Sequence, residues 1–156
     1  MKHTNKFSTL KMNLSLACVL VTTLGWGQTK NGIVGIWWDE EKRSRIEIHE
    51  EGGKFHGTIV WIKKDENDDG TAPRKDIHNP DAKLKNTRIL NLRILHHLEW
   101  DTENKEWKNG AIYDPDNGKT YTCFATLQKD GKMFLKGYVM GMRFLGRSTL
   151  WTKFDK

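Results

Sequence analysis

From residue 35 onward, apolar and polar positions alternate with a period of two over nearly the whole chain. Residues 44–50 (SRIEIHE) put Ile46 and Ile48 on one face and Arg45, Glu47 and His49 on the other. Successive side chains of a strand point to opposite faces, so this alternation predicts a half-buried antiparallel strand. Glu51-Gly52-Gly53 predicts a hairpin turn into residues 54–63, where Phe55, Gly57, Ile59 and Trp61 share a face. Residues 107–114 run into Asp114-Pro115-Asp116-Asn117-Gly118, whose residues fix φ near −65° or tolerate positive φ. Residues 119–128 (KTYTCFATLQ) set Tyr121, Cys123, Ala125 and Leu127 on one face. Asp130-Gly131 then supplies a second tight turn into residues 133–140. A last strand follows over 147–154, with Leu150/Thr152 and Arg147/Trp151 as alternative inward sets.

Residues 65–86 break the pattern: they are polar and hold two of the three prolines. Asn79-Pro80-Asp81 reads as an Asx turn leading into a short helical turn over 81–86. Residues 88–98 (RILNLRILHHL) suit helix or strand by periodicity, and the flanking β pattern favours strand. About eight strands with local connections predict one all-β domain, a single antiparallel up-and-down barrel with one short helical turn. Closure into a barrel also removes the exposed edges of an open meander.

The first 27 residues do not belong to this pattern. Lys2, Lys6 and Lys11 precede an apolar run over 12–24, and Gly25 and Gly27 occupy the −3 and −1 positions of a cut before Gln28. These are the three parts of a secretory signal peptide. The expected layout is therefore a leader over 1–27 and a barrel over 28–156, exported to the periplasm or beyond. The 13-residue run is too short to span a bilayer, and no second span follows it. Cys18 lies inside the run, after Ser15-Leu16-Ala17, a poor setting for lipidation.

Export changes the charge. The full chain carries a net +6, but the leader takes three lysines and no acid, leaving 23 basic against 20 acidic residues. No Lys/Arg stripe forms, which argues against nucleic acid as a partner. Cys123 remains as the lone cysteine, so the domain must stand without an internal disulfide.

Several motifs occur in order. They are Gly35-Ile36-Trp37; Asn79-Pro80-Asp81 with Leu84; Ile89-Leu90…Leu92…Ile94-Leu95; Tyr113-Asp114-Pro115…Asn117-Gly118-Lys119…Tyr121; Leu135…Gly137-Tyr138; and Leu145-Gly146-Arg147…Trp151. Together they resemble the bacterial secreted family catalogued as domain-of-unknown-function family 2147, over about residues 35–153. One departure is Asn91, where the family pattern leads one to expect glycine. The resemblance implies a lipocalin/calycin-like barrel. It also implies that Trp37, next to Gly35, packs at the closed end beneath a basic residue of the last strand, for which Arg147 is the candidate. It brings no catalytic residues and no cofactor.

The candidate chemistry is sparse. Asp65-x-Asn67-x-Asp69-Gly70, with Asp76 at position twelve, has calcium-loop spacing, but Pro73 sits at position nine and Asp replaces the final Glu. In His96-His97-x-Glu99, a regular strand would turn the two histidines to opposite faces and leave too few ligands for zinc. Cys123, among Tyr121, Ala125 and Leu127, reads as a small core hydrophobe and not a nucleophile. No metal, cofactor or catalytic set is assigned.

Aromatic residues offer another role. An eight-stranded barrel is just wide enough to be filled or to hold one small ligand. Gly57, Ala125 and Gly137 on apolar faces favour a cavity, lined by Trp37, Trp61, Tyr121, Leu135, Tyr138 and Trp151 and taking a small hydrophobic or amphipathic ligand. The alternatives are a filled barrel acting as a cell-envelope interaction or stress-response module, and an enzyme with its site on the 65–86 loop.

Overall fold

The computed structural model describes residues 28–155; the predicted leader, with Cys18, lies outside the described residues. Eight strands follow in order: β1 (Gly35–Trp38), β2 (Ser44–Glu51), β3 (Lys54–Ile62), β4 (Arg93–Asp101), β5 (Glu106–Asp114), β6 (Lys119–Leu127), β7 (Met133–Tyr138) and β8 (Gly146–Lys153). Each pairs antiparallel with the next, and β8 pairs with β1, closing an up-and-down barrel. Among the described residues no helix is long and apolar enough to cross a membrane.

One end is closed and the other carries the longer loops. At the closed end a 3-10 turn, η1 (Lys30–Ile33), lies across the barrel with Ile33 fully buried. Two indoles hold it there. Trp37 Nε1 donates to the Ile33 carbonyl at 2.8 Å, and Trp107 Nε1 donates to the Lys30 carbonyl at 2.9 Å. Buried indole N–H groups need acceptors, and the turn supplies them. Phe55, Leu98 and Met133 complete this floor.

The strict alternation slips at three places, on β3, β4 and β5. Between β2 and β3, Arg45 opposes Trp61 but Ile46 opposes Ile59, so Val60 is an extra residue. Phe55, Gly57 and Ile59 therefore point inward, whereas Trp61 turns out. On β4, Leu95 and Leu98 are both fully buried though three residues apart, and His97 between them has φ +57°. Neighbouring β5 does the same, with Trp107 and Gly110 buried and Asn109 at φ +57°.

Outside the barrel, the displaced Trp61 forms a cluster across strands. Its ring meets Trp38 edge-on at 5.3 Å, and Trp38 meets Phe154 at 5.7 Å. The Arg45 guanidinium lies 4.7 Å from Trp61, 5.2 Å from Trp38 and 4.6 Å from Phe154. Three aromatic faces thus surround one cation, at the separation where ring quadrupoles attract it.

Residues 63–92 do not form the expected helical turn. Over 82–86 the backbone makes turns closed by bonds such as Leu84 N–H to Asp81 carbonyl and Thr87 N–H to Leu84 carbonyl. The Asx turn is present, with the Asp81 amide donating to Asn79 Oδ1 at 2.9 Å. The strand expected over 88–98 begins only at Arg93, because Asn91 takes φ +72° and bends the chain. Asparagine is among the few side chains that adopt this region readily, which accounts for its standing where glycine was expected.

Candidate functional site

A cavity of about 560 Å³ opens at the loop-bearing end of the barrel. Its walls are apolar: Ile46, Ile59, Ile94, Ile112, Leu135 and Trp151 come from six of the eight strands. Gly137 adds space, since a Cβ there would stand 3.2 Å from Tyr121 Cβ and 3.4 Å from Ile112 Cγ2. The mouth is ringed by the 39–43, 115–118 and 139–145 loops and by Arg74 and Ile89 of the long loop. A second hollow, about 680 Å³, lies beneath residues 63–78 and has mainly charged and polar walls, including Lys63, Lys64, Glu66 and Asp68.

The six aromatic and aliphatic residues singled out in the sequence divide between three places. Tyr121, Leu135, Tyr138 and Trp151 line the cavity. Trp37 is 1% exposed and belongs to the floor, not the cavity wall. Trp61 stands outside, in the Arg45 cluster, because the Val60 bulge reverses its direction. The inward set of β8 is Arg147, Thr149 and Trp151.

Arg147 is not the partner of Trp37. It opposes Gly137 near the mouth, whereas Trp37 opposes Lys153 six residues later in β8. Lys153 Nζ lies 5.2 Å from the Trp37 ring and donates to the Val34 carbonyl at 3.2 Å. Its stem covers Gly35, which has φ +127°, with Lys153 Cε 3.4 Å from a would-be Cβ. Lys153 was missed because the last strand offers two basic residues of equal parity, and only the register across the β1–β8 seam distinguishes them.

Isoleucines went unrecognised as cavity residues. Ile62, Ile89 and Ile112 line it from a strand end, a bend and a strand interior, and no single period links them. Tyr113 was also missed. Its hydroxyl donates to Oδ1 of the fully buried Asp76 at 2.6 Å, and Asn79 Nδ2 donates to Oδ2 at 2.7 Å. Burial, aided by the Asp76 carboxylate, pushes the Tyr113 hydroxyl above its ordinary value. This contact ties the long loop to β5 beside the mouth.

The calcium-spaced residues are turned toward protein partners. Asp65 accepts from the Arg74 amide and pairs with Arg88 at 2.8 Å. Asn67 bonds Thr71 and the Lys75 amide, and Asp69 accepts from the Thr71 amide and hydroxyl. With Asp76 occupied by Tyr113 and Asn79, these oxygens close the loop on itself and do not converge on one point.

His96 and His97 both face outward, contrary to the expectation for a regular strand, because His97 sits in the bulge. Their rings are 6.0 Å apart, and His56 lies 4.9 Å from His97 and 6.1 Å from His49. Among the described residues no group of three His, Cys, Asp or Glu side chains is placed to hold a metal ion. Burial lowers the His56 and His96 imidazoles below their usual range. The Arg93 and His97 charges add to the effect on His56, whereas at His96 a backbone hydrogen bond at Arg93 opposes it and the His97 charge adds to it. Cys123 is fully buried, and burial pushes its thiol up to about 12. Such a thiol carries no thiolate at neutral pH.

Comparison with known proteins agrees with this architecture. Protein HP1028 from Helicobacter pylori, which belongs to the lipocalin family, superposes with a TM-score of 0.66 at 24% identity, covering 79% of this chain and 83% of that one. A comparison with curated protein sequences finds no significant match. The profile of the family described as "Uncharacterized protein conserved in bacteria (DUF2147)" matches residues 35–153. The protein whose β-barrel is described above is thus a member of bacterial family DUF2147.

Proposed function

We propose that this protein is an exported binding protein that holds one small apolar or amphipathic molecule inside its barrel. The observation that carries the reading is the cavity, whose volume of about 560 Å³ falls within the roughly 300–1,000 Å³ of ligand pockets. Its isoleucine, leucine and tryptophan walls supply burial at about 25 cal/mol per Å² of apolar surface, the main driving force for such a ligand. Delivery to the periplasm or cell surface is supported by the basic, apolar and small-residue pattern of residues 1–27.

Native mass spectrometry and uptake of a neutral polarity-sensitive dye such as Nile red test it. Wild type is expected to take up dye, and Thr149→Trp, which projects an indole into the cavity from β8, to lose it while keeping its circular dichroism. Trp61→Ala, on the outer wall, should retain uptake. Absence of dye uptake and of any co-purified molecule refutes the reading.

A second reading, contact with another macromolecule through the mouth loops, draws on the exposed Val139, Met140, Phe144 and Leu145. Dye uptake that persists in Thr149→Trp would favour this surface as the apolar site.

A further inference from the structure

The cavity is graded from charged to apolar along a single strand. Facing inward on β8 from mouth to floor come Arg147, Thr149 and Trp151. At about 3.3 Å per residue these span roughly 13 Å. Tyr121 faces the same upper region from β6, with its hydroxyl 3.3 Å from Asn117 Nδ2, and Gly137 between the two strands leaves room beside Arg147. Below them, Leu135, Trp151 and the isoleucines offer only hydrocarbon and ring surface.

The carboxylates around the mouth are already engaged. Asp116 pairs with Arg74 and Arg43, and Glu41 with Arg43 at 3.0 Å. Asp39 accepts from the Arg43 amide and the Ser44 hydroxyl, and Asp114 from the Asp116 amide and Asn117. Arg147 has no acidic partner among the described residues. Glu40 is the remaining rim acid, exposed on the β1–β2 turn.

Resting on the ligand-binding reading above, we infer that the cavity selects amphiphiles with an anionic head, which pairs with Arg147 at the mouth while the apolar tail runs down to Trp151. A guanidinium offers several N–H donors in a planar fork suited to a carboxylate or phosphate oxygen pair. A neutral head would leave that charge without a counter-ion, and an ammonium head would be repelled.

Displacement of Nile red at neutral pH by decanoate, decanol and decyltrimethylammonium separates these cases, because the three share a tail. Decanoate is expected to displace dye at about tenfold lower concentration than decanol, a difference of ~1.4 kcal/mol, with the ammonium weakest. Arg147→Met, which keeps the apolar stem, should abolish the decanoate advantage and leave decanol unchanged, while Arg147→Lys should retain most of it. Equal displacement by decanoate and decanol, a preference for the ammonium, or an unchanged decanoate advantage in Arg147→Met overturns the inference. Dye uptake without displacement by any of the three also overturns it, yet leaves the cavity reading standing. No dye uptake, with no co-purified molecule in native mass spectrometry, defeats the cavity reading itself.

Discussion

Removing the Tyr113 hydroxyl is the sharpest perturbation of how the mouth is built. Asp76 is fully buried and has two side-chain donors, Tyr113 at 2.6 Å and Asn79 at 2.7 Å. Tyr113→Phe keeps the ring and strands one carboxylate oxygen away from water. A hydrogen bond to a charged group contributes about 1.5–3 kcal/mol, and the stranded acceptor keeps its desolvation penalty. At about 4 °C per kcal/mol for a domain of this size, the melting temperature should fall by about 6–12 °C. In an Asp76→Asn background the same change should cost roughly half or less, because the stranded group is then neutral. Urea unfolding of the four proteins in this double-mutant cycle gives the coupling directly. A Tyr113→Phe protein as stable as wild type, or equal costs in both backgrounds, would refute the view that this contact anchors the long loop.

Other consequences can be measured on the same protein. His56 and His96 are held below their usual values by burial, so the unfolded chain takes up protons first as pH falls. Stability should be level above about pH 7, drop below about 6.5, and flatten again once the folded imidazoles protonate; a urea midpoint unchanged between pH 7.5 and 5.5 would exclude this. Asn91→Val, with a branched side chain at φ +72°, should lose about 1–2 kcal/mol in chemical denaturation, whereas Asn91→Gly stays near wild type. Cys123 should resist a thiol reagent in the native protein and react promptly in denaturant; fast native labelling would contradict its burial.

The barrel itself was legible because period-two alternation and turn residues are local signals. Glu51-Gly52-Gly53, Asp114 to Gly118 and Asp130-Gly131 each sit where a hairpin reverses. The site was legible only where strands stay regular. Tyr121 and Leu135 face the cavity as expected, and Trp151 does so as one of the two inward sets that alternation left open for the last strand. Trp61 and His97 depart from it, since one extra residue in a bulge flips everything after it. A bulge is set by the partner strand, which is distant in sequence. The same holds for Lys153 against Trp37, for η1 across the floor and for Asp76 beneath Tyr113: each contact joins segments whose spacing carries no pattern.

The Arg45 cluster on the outer wall bears on how the barrel comes apart. β1 and β8 meet through only two residue pairs, Trp37 with Lys153 and Trp38 with Thr152, while other neighbours share longer ladders. This seam is where amide protons should exchange earliest with solvent. Arg45, Trp38, Trp61 and Phe154 draw together β2, β1, β3 and the residue just beyond β8, and the Phe154 amide adds one bond to the Ile36 carbonyl. A chain shortened by its last three residues would keep every strand yet lose that clasp, so deuterium uptake should rise first along β1 and β8 and leave β4 to β6 protected.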